Sequence, residues 1–201
     1  MKCNHQSKLN LSQDDYLYSL LRVGEFCYVY NLPQTSKSGL RQRVMRRLQD
    51  DGFACAVVDV AEINTDVITI EQWYVKLINK LVEEFNLQTE FNLKTWWQKN
   101  SLFSPVRCFS KFIETILLPK VNNNIVIFVD EIDSVSSLAF NSDDFFVVIR
   151  DCYNRRADKP EYKRITFALL GVSTPYDLIQ DKKRTPFDIG RVIDSASLQA
   201  M

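Results

Sequence analysis

Four short runs of this chain are apolar almost throughout: 26–30 (FCYVY), 54–60 (ACAVVDV), 125–129 (IVIFV) and 165–170 (ITFALL). None shows the alternation of a strand with one wet face. Runs this short, rich in β-branched and aromatic residues and bounded by polar stretches, must bury both faces, so each reads as an interior strand. Between them lie segments of helical period at 37–51, 70–85, 105–118 and 143–157. Their ends carry physical signals. Gly52 closes the first, Ser104 caps the third with Pro105 at its first position, Ser142 stands ahead of Asp143 and Asp144, and Thr174-Pro175 repeats the Ser-Pro arrangement. Interior strands alternating with helices specify a parallel sheet covered on both faces, a three-layer α/β fold.

Composition narrows the function classes. The 201 residues carry 25 basic and 25 acidic side chains, so no overall field draws the chain to nucleic acid or an anionic membrane. No stretch of 18 apolar residues occurs, and the polar N-terminus has no signal-peptide core. His5 is the single histidine, which excludes histidine-based catalysis and multi-histidine metal sites. The five cysteines form no C-x-x-C pair, and Cys27 and Cys55 lie inside apolar runs, as reduced thiols in the cytoplasm would. With no internal repeat or linker, residues 1–201 form one domain, residues 1–14 being a flexible lead-in. Only five glycines are present where average usage gives about fourteen.

In a parallel sheet, ligands sit at the carboxyl ends of the strands. After the first strand comes Asn31-Leu32-Pro33-Gln34-Thr35-Ser36-Lys37-Ser38. Against the phosphate-loop pattern G-x-x-x-x-G-K-[ST], Lys37 and Ser38 match, while Asn31 and Ser36 replace the two glycines. The pair by itself reads as a solvated helix start rather than a phosphate site. Its placement between a strand and a helix favours the anion reading, because unpaired N–H groups and the positive dipole end face the ligand. The third strand ends in Asp130-Glu131-Ile132-Asp133, adjacent carboxylates of the kind that hold a nucleotide-bound magnesium and polarise water. Gly171-Val172-Ser173-Thr174 follows the fourth strand; its hydroxyls sense a terminal phosphate or cap a helix.

These features, with further blocks along nearly the whole chain, carry a resemblance. The blocks are Gly24 through Val29, Glu71-Gln72-Trp73-Tyr74, Trp96-Trp97, Ile125 through Asp133, Asp143 through Phe146, Cys152 through Ala157, Thr166 through Gly171, Arg184-Thr185-Pro186-Phe187 and Ile189-Gly190. The chain resembles the AAA-like domain proteins common in cyanobacteria, related to the STAND group of signalling P-loop NTPases. The resemblance implies a P-loop NTPase (ASCE/AAA-like) fold of strand order 5-1-4-3-2, and an ATP and magnesium switch joined to partner-recognition modules. By position, Lys37 would contact the β and γ phosphates, and Ser36 and Ser38 would belong to the Walker A loop. Ser38 and Asp130 would hold magnesium, Glu131 would orient the attacking water, Ser173 or Thr174 would act as sensor, and Arg184 would sense phosphate or couple domains.

Two departures from the family bear on activity. Ser36 stands where glycine lets the backbone approach the phosphates, a left-handed penalty of roughly 1–2 kcal/mol, and Pro33 removes an N–H. The fifth strand reads as a stub at 192–194, with no lid after it, so the chain looks like a truncated copy with the first strand's apolar edge open to self-association or protein partners. Weak or absent ATP hydrolysis is therefore expected, and two functions compete: a slow ATP-binding switch with a degenerate Walker A loop, or a non-catalytic interaction module or decaying gene fragment that has lost nucleotide binding. Arg41, Arg43, Arg46 and Arg47 read as a solvated helix face. The aromatic pairs 73–74, 96–97 and 145–146 read as packing between helices and sheet, and Arg155 and Arg156 as cations at a helix end.

Overall fold

The computed structural model describes residues 12–31, 34–64, 68–179 and 189–194. Five parallel strands form one sheet: β1 (Cys27–Tyr30), β2 (Ala54–Asp59), β3 (Ile125–Asp130), β4 (Ile165–Leu170) and β5 (Arg191–Asp194). Their order is β2-β3-β4-β1-β5, the order 5-1-4-3-2 read from the other edge. The apolar runs are continuous because successive residues serve opposite faces. From β3, Ile125, Ile127 and Val129 enter one core while Val126 and Phe128 enter the other.

Helices α1 (Gln13–Arg22) and α2 (Gln34–Asp50) cover one face, where Leu17, Leu21, Leu40, Val44 and Leu48 meet β1, β3 and β4. The opposite face carries α4 (Ile70–Glu84), α6 (Pro105–Phe112) and α8 (Asp143–Asn154), with the short α3 (Val60–Ile63) and α5 (Leu93–Lys99) at its margin. From α6 the chain continues through a wide π turn (Ile113–Leu117) into α7 (Leu118–Lys120), where Pro119 has no N–H to donate. Trp73, Tyr74, Phe145 and Phe146 are buried, and Trp73 meets Phe145 edge-on at 5.3 Å, so these aromatics are packing, as their sequence context indicates. No helix among the described residues is long and apolar enough to cross a membrane.

Local signals set most of the boundaries. Ser104 accepts from the Arg107 N–H with Pro105 next in line, and Gly52 at φ 85° ends α2. Ser142, however, makes no capping bond; the Asn141 side chain accepts the Asp143 N–H at 2.7 Å instead. Helix α1, unread in the sequence, supplies Asp14 and Asp15, which pair with Arg43 and Arg47 of α2. The expected solvated arginine face is seen at Arg43 and Arg46, which are exposed, and Arg43 and Arg47 find their partners on a helix that precedes the first strand; Arg41 alone of the four departs from the expectation by turning inward.

The expected open edge at β1 is also corrected. Strand β5, four residues long, pairs with β1 along its whole length, from Cys27 opposite Arg191 to Tyr30 opposite Asp194. Gly190 makes this entry possible: it adopts φ 81°, and a Cβ built there would lie 2.2 Å from the Phe26 carbonyl oxygen. At the far edge, the Glu84 carboxylate accepts the Val57 N–H of β2 at 3.0 Å, occupying a donor that would otherwise face a passing strand.

Candidate functional site

Parallel pairing brings the carboxyl ends of all five strands to one edge, and with them Asn31, Asp59, Asp130 and Asp194. Asn31, at the first glycine position of the phosphate-loop pattern, takes a left-handed φ of 56°. Asparagine tolerates this conformation better than most residues. Here its side-chain amide donates to Asp194 Oδ1 at 3.0 Å and its N–H to the Val172 carbonyl at 3.2 Å, joining the ends of β1, β5 and β4.

Helix α2 starts at Gln34, three residues before the helical segment read from the sequence. Ser36 and Lys37 therefore lie on helical backbone, and the side chains of 34–37 fall outside the described ones. The left-handed penalty assigned to Ser36 is thus not incurred there; Asn31 carries it. No acidic residue occupies the first turn, so the positive end of the helix dipole is not neutralised locally. Ser38 is exposed on the second turn. Pro33 and Arg184 lie outside the described residues.

One turn beyond Ser38, Arg41 turns inward. Its Nη1 donates to Asp130 Oδ2 in a short ion pair, with the Arg41 side chain 16% exposed and that of Asp130 5%. The other oxygen, Oδ1, accepts the Glu131 N–H at 3.0 Å. Both carboxylate oxygens are thereby engaged, and Arg41 Nε is a buried side-chain nitrogen with no hydrogen-bond partner among the described residues. Glu131 sits at φ 50°, ψ 41°, a left-handed conformation that glutamate rarely adopts. The residues brought together are thus the head of α2, Arg41, Asp130 and Glu131. Arg41 is the one that sequence reasoning set aside; its spacing of three from Ser38, which shares a helix face, is the signal that could have found it.

The segment after β4 is tied to the turn after β3. Asp133 accepts the N–H groups of Val172 and Ser173, each at 2.7 Å. Gly171 lets the two segments approach, since a Cβ there would lie 2.8 Å from Asp133 Oδ2 and from Ile132 Cγ2. The Ser173 carbonyl accepts the Tyr28 hydroxyl at 2.8 Å, and burial, with the Asp133 charge adding, raises the Tyr28 phenol well above its ordinary range. Thr174 realises its capping alternative: its hydroxyl donates to Asp177 at 2.6 Å in a capping box. Asp59 likewise caps α3, accepting the N–H groups of Ala61 and Glu62. No group of three His, Cys, Asp or Glu among the described residues could hold a metal by itself.

Comparison with known proteins agrees with the fold. The AAA-like domain family matches residues 8–201. An uncharacterized WD repeat-containing protein of Synechocystis sp. is 44% identical over 194 residues, which is 96% of this chain and 16% of that protein. Among solved structures, the fold is similar to that of the Aeropyrum pernix ORC2 protein in ADPNP and ADP complexes, with a TM-score of 0.57 and 11% identity over 89% of this chain and 44% of that one. It is also similar to that of the Aeropyrum pernix ORC1 protein in complex with DNA, with a TM-score of 0.55 and 12% identity over 96% of this chain and 46% of that one.

Proposed function

The chain belongs to the AAA-like domain family, and from that premise we propose that it is a P-loop nucleotide-binding switch domain for ATP with weak or no hydrolysis of its own. The observation that carries this reading is the juxtaposition, at one sheet edge, of an acid-free helix N-terminus bearing Lys37 and Ser38 with the Asp130-Glu131 carboxylates. A polyphosphate anion fits the head of α2, where N–H groups and the dipole favour negative charge and Lys37 adds a cation. Magnesium is a different case. Its hard-oxygen donors would be the Ser38 hydroxyl and the Asp130 carboxylate, but a divalent ion fits poorly at Asp130 while the Arg41 guanidinium is paired with that buried carboxylate, because like charges would meet there.

Turnover is accordingly weak in this reading. Glu131 remains the residue to orient an attacking water, held by its left-handed backbone at the end of β3. Ser173 stays the sensor candidate, with Asp133 and Tyr28 fixing its backbone, and Arg184 keeps its proposed coupling role. The non-catalytic module is the second reading, favoured by the same engagement of Asp130. In both, the partners are proteins: the Synechocystis relative carries WD repeats, and Arg43 and Arg47, the basic groups nearest a nucleic-acid patch, are neutralised by α1. Four free thiols among the described residues, of which burial pushes Cys55 and Cys152 up to about 12, support a reducing cytoplasmic setting.

Calorimetric titration with ATP tests the reading. Binding is expected in the chain, with at least a tenfold loss in Lys37→Ala, equivalent to about 1.4 kcal/mol. Ser36→Gly should stay within about threefold of the parent, because the backbone there is already helical. Absence of binding overturns the switch in favour of the second reading. Phosphate release that Lys37→Ala and Glu131→Gln both abolish would overturn the low turnover.

A further inference from the structure

We infer that Arg41 is the resident cation of Asp130, taking at that carboxylate the place of a divalent ion, so that nucleotide binding in this chain does not depend on magnesium. The inference rests on the functional reading above and adds to it a metal-free mode of binding. Three observations carry it. Arg41 lies three residues after Ser38 on the same side of α2 and reaches Asp130 at the end of β3. Its guanidinium holds Asp130 Oδ2 while the chain's own Glu131 N–H holds Oδ1, so each oxygen of that buried carboxylate already has a donor and the cation beside it is the protein's own. And the guanidinium is ion-paired with Asp130 while only 16% exposed, so a positive charge already stands where a metal ion would have to approach.

Burial makes the pairing consequential. A carboxylate 5% exposed needs a cation or several donors to remain charged, and Arg41 supplies one from the protein itself. The Arg41 Nε is buried and without an acceptor among the described residues, a donor the fold itself leaves unfilled. A purely structural arginine would have its donors filled, as Arg156 does elsewhere in the fold through the carbonyls of Tyr162, Gly24 and Ile165.

The test titrates the chain with manganese alone, read by electron paramagnetic resonance, and then with ATP in excess magnesium and in chelator. The wild-type chain should take up no stoichiometric manganese, and its ATP affinity should agree within about threefold between the two conditions. Arg41→Met keeps most of the stem and frees Asp130; it should gain a manganese site, and its ATP affinity should fall at least tenfold when magnesium is withdrawn. Arg41→Lys, which keeps the charge, should gain no such site. Equal manganese uptake by the wild type and Arg41→Met overturns the inference whatever the nucleotide data show. A manganese site gained only by Arg41→Met, with no ATP binding in either protein, sustains the assignment of Arg41 and overturns the nucleotide reading instead. If Arg41→Met does not fold, the Arg41→Met/Asp130→Asn pair, which removes both charges, should; failure of both makes Arg41 a packing residue and ends the inference.

Discussion

The two ends of the sheet use arginine in opposite ways. At the amino end, Arg156 donates to the carbonyls of Gly24 at 2.7 Å, Ile165 at 2.6 Å and Tyr162 at 3.3 Å, while its guanidinium lies against the rings of Phe26 and Tyr153. Arg164 does similar work nearby, binding the carbonyls of Leu118, Val121 and Asn123. These side chains satisfy orphan carbonyls and lock α8, β1 and β4 together. At the carboxyl end, Arg41 meets one carboxylate and has a donor unfilled among the described residues, and the strand-end residues Asn31 and Glu131 take left-handed backbone. The amino end is arranged for stability and the carboxyl end tolerates strain, as a ligand site does.

That contrast can be broken by mutation. The largest effect is expected at the amino end: Arg156→Ala should lower unfolding free energy by about 3 kcal/mol, since several charge-assisted bonds to buried carbonyls vanish together. Arg156→Lys should recover only part, because a point charge cannot reproduce the fork. Urea denaturation measures both, and a loss under about 1 kcal/mol would remove the structural half of the contrast. A smaller change of opposite sign is expected at the other end. Glu131→Gly should raise stability by about 1 kcal/mol through relief of the φ 50° backbone. A variant less stable than the parent would mean that the left-handed glutamate is held for packing rather than for chemistry.

The smallest effect depends on pH and lies on the surface near α8. The hydrogen bond from Lys159, with the Arg155 charge adding, holds the Glu114 carboxyl below its ordinary 4.5. A carboxyl lowered in the folded state stabilises above its unfolded value and loses that contribution as pH falls through the folded value. Between about pH 5 and pH 3, the melting temperature of Glu114→Gln should therefore fall less steeply than that of the parent. The side chains involved are about a third exposed, so the difference should shrink further in high salt.

Much of this fold is legible from local pattern. A strand buried on both faces must be apolar at every position, so the four interior strands stand out. Ser104, Gly52 and Thr174 mark helix ends through their own chemistry. Helix α1 is harder to read, since its ten residues include only a narrow apolar stripe with Leu17 and Leu21 buried. Strand β5 is short, with Arg191 and Val192 exposed, and lacks the apolar continuity of its neighbours. In the site, the lysine, serine and adjacent carboxylates are visible as types at fixed spacing. Arg41 is not, because an arginine among four on one helix looks solvated until the facing strand is known.

The sequence by itself determined the parallel sheet, its strand order through the family pattern, and the set of groups gathered at its carboxyl edge. These follow from periodicity and from chemistry that acts over a few residues. Tertiary structure alone decided which charges meet. Arg41 reaches Asp130 across 89 residues of chain, Asp14 and Asp15 neutralise α2 from a helix before the first strand, and β5 closes the edge of β1. Each depends on how elements are placed in space, where Coulomb and desolvation energies change within a few ångströms, and no spacing along the chain encodes that distance.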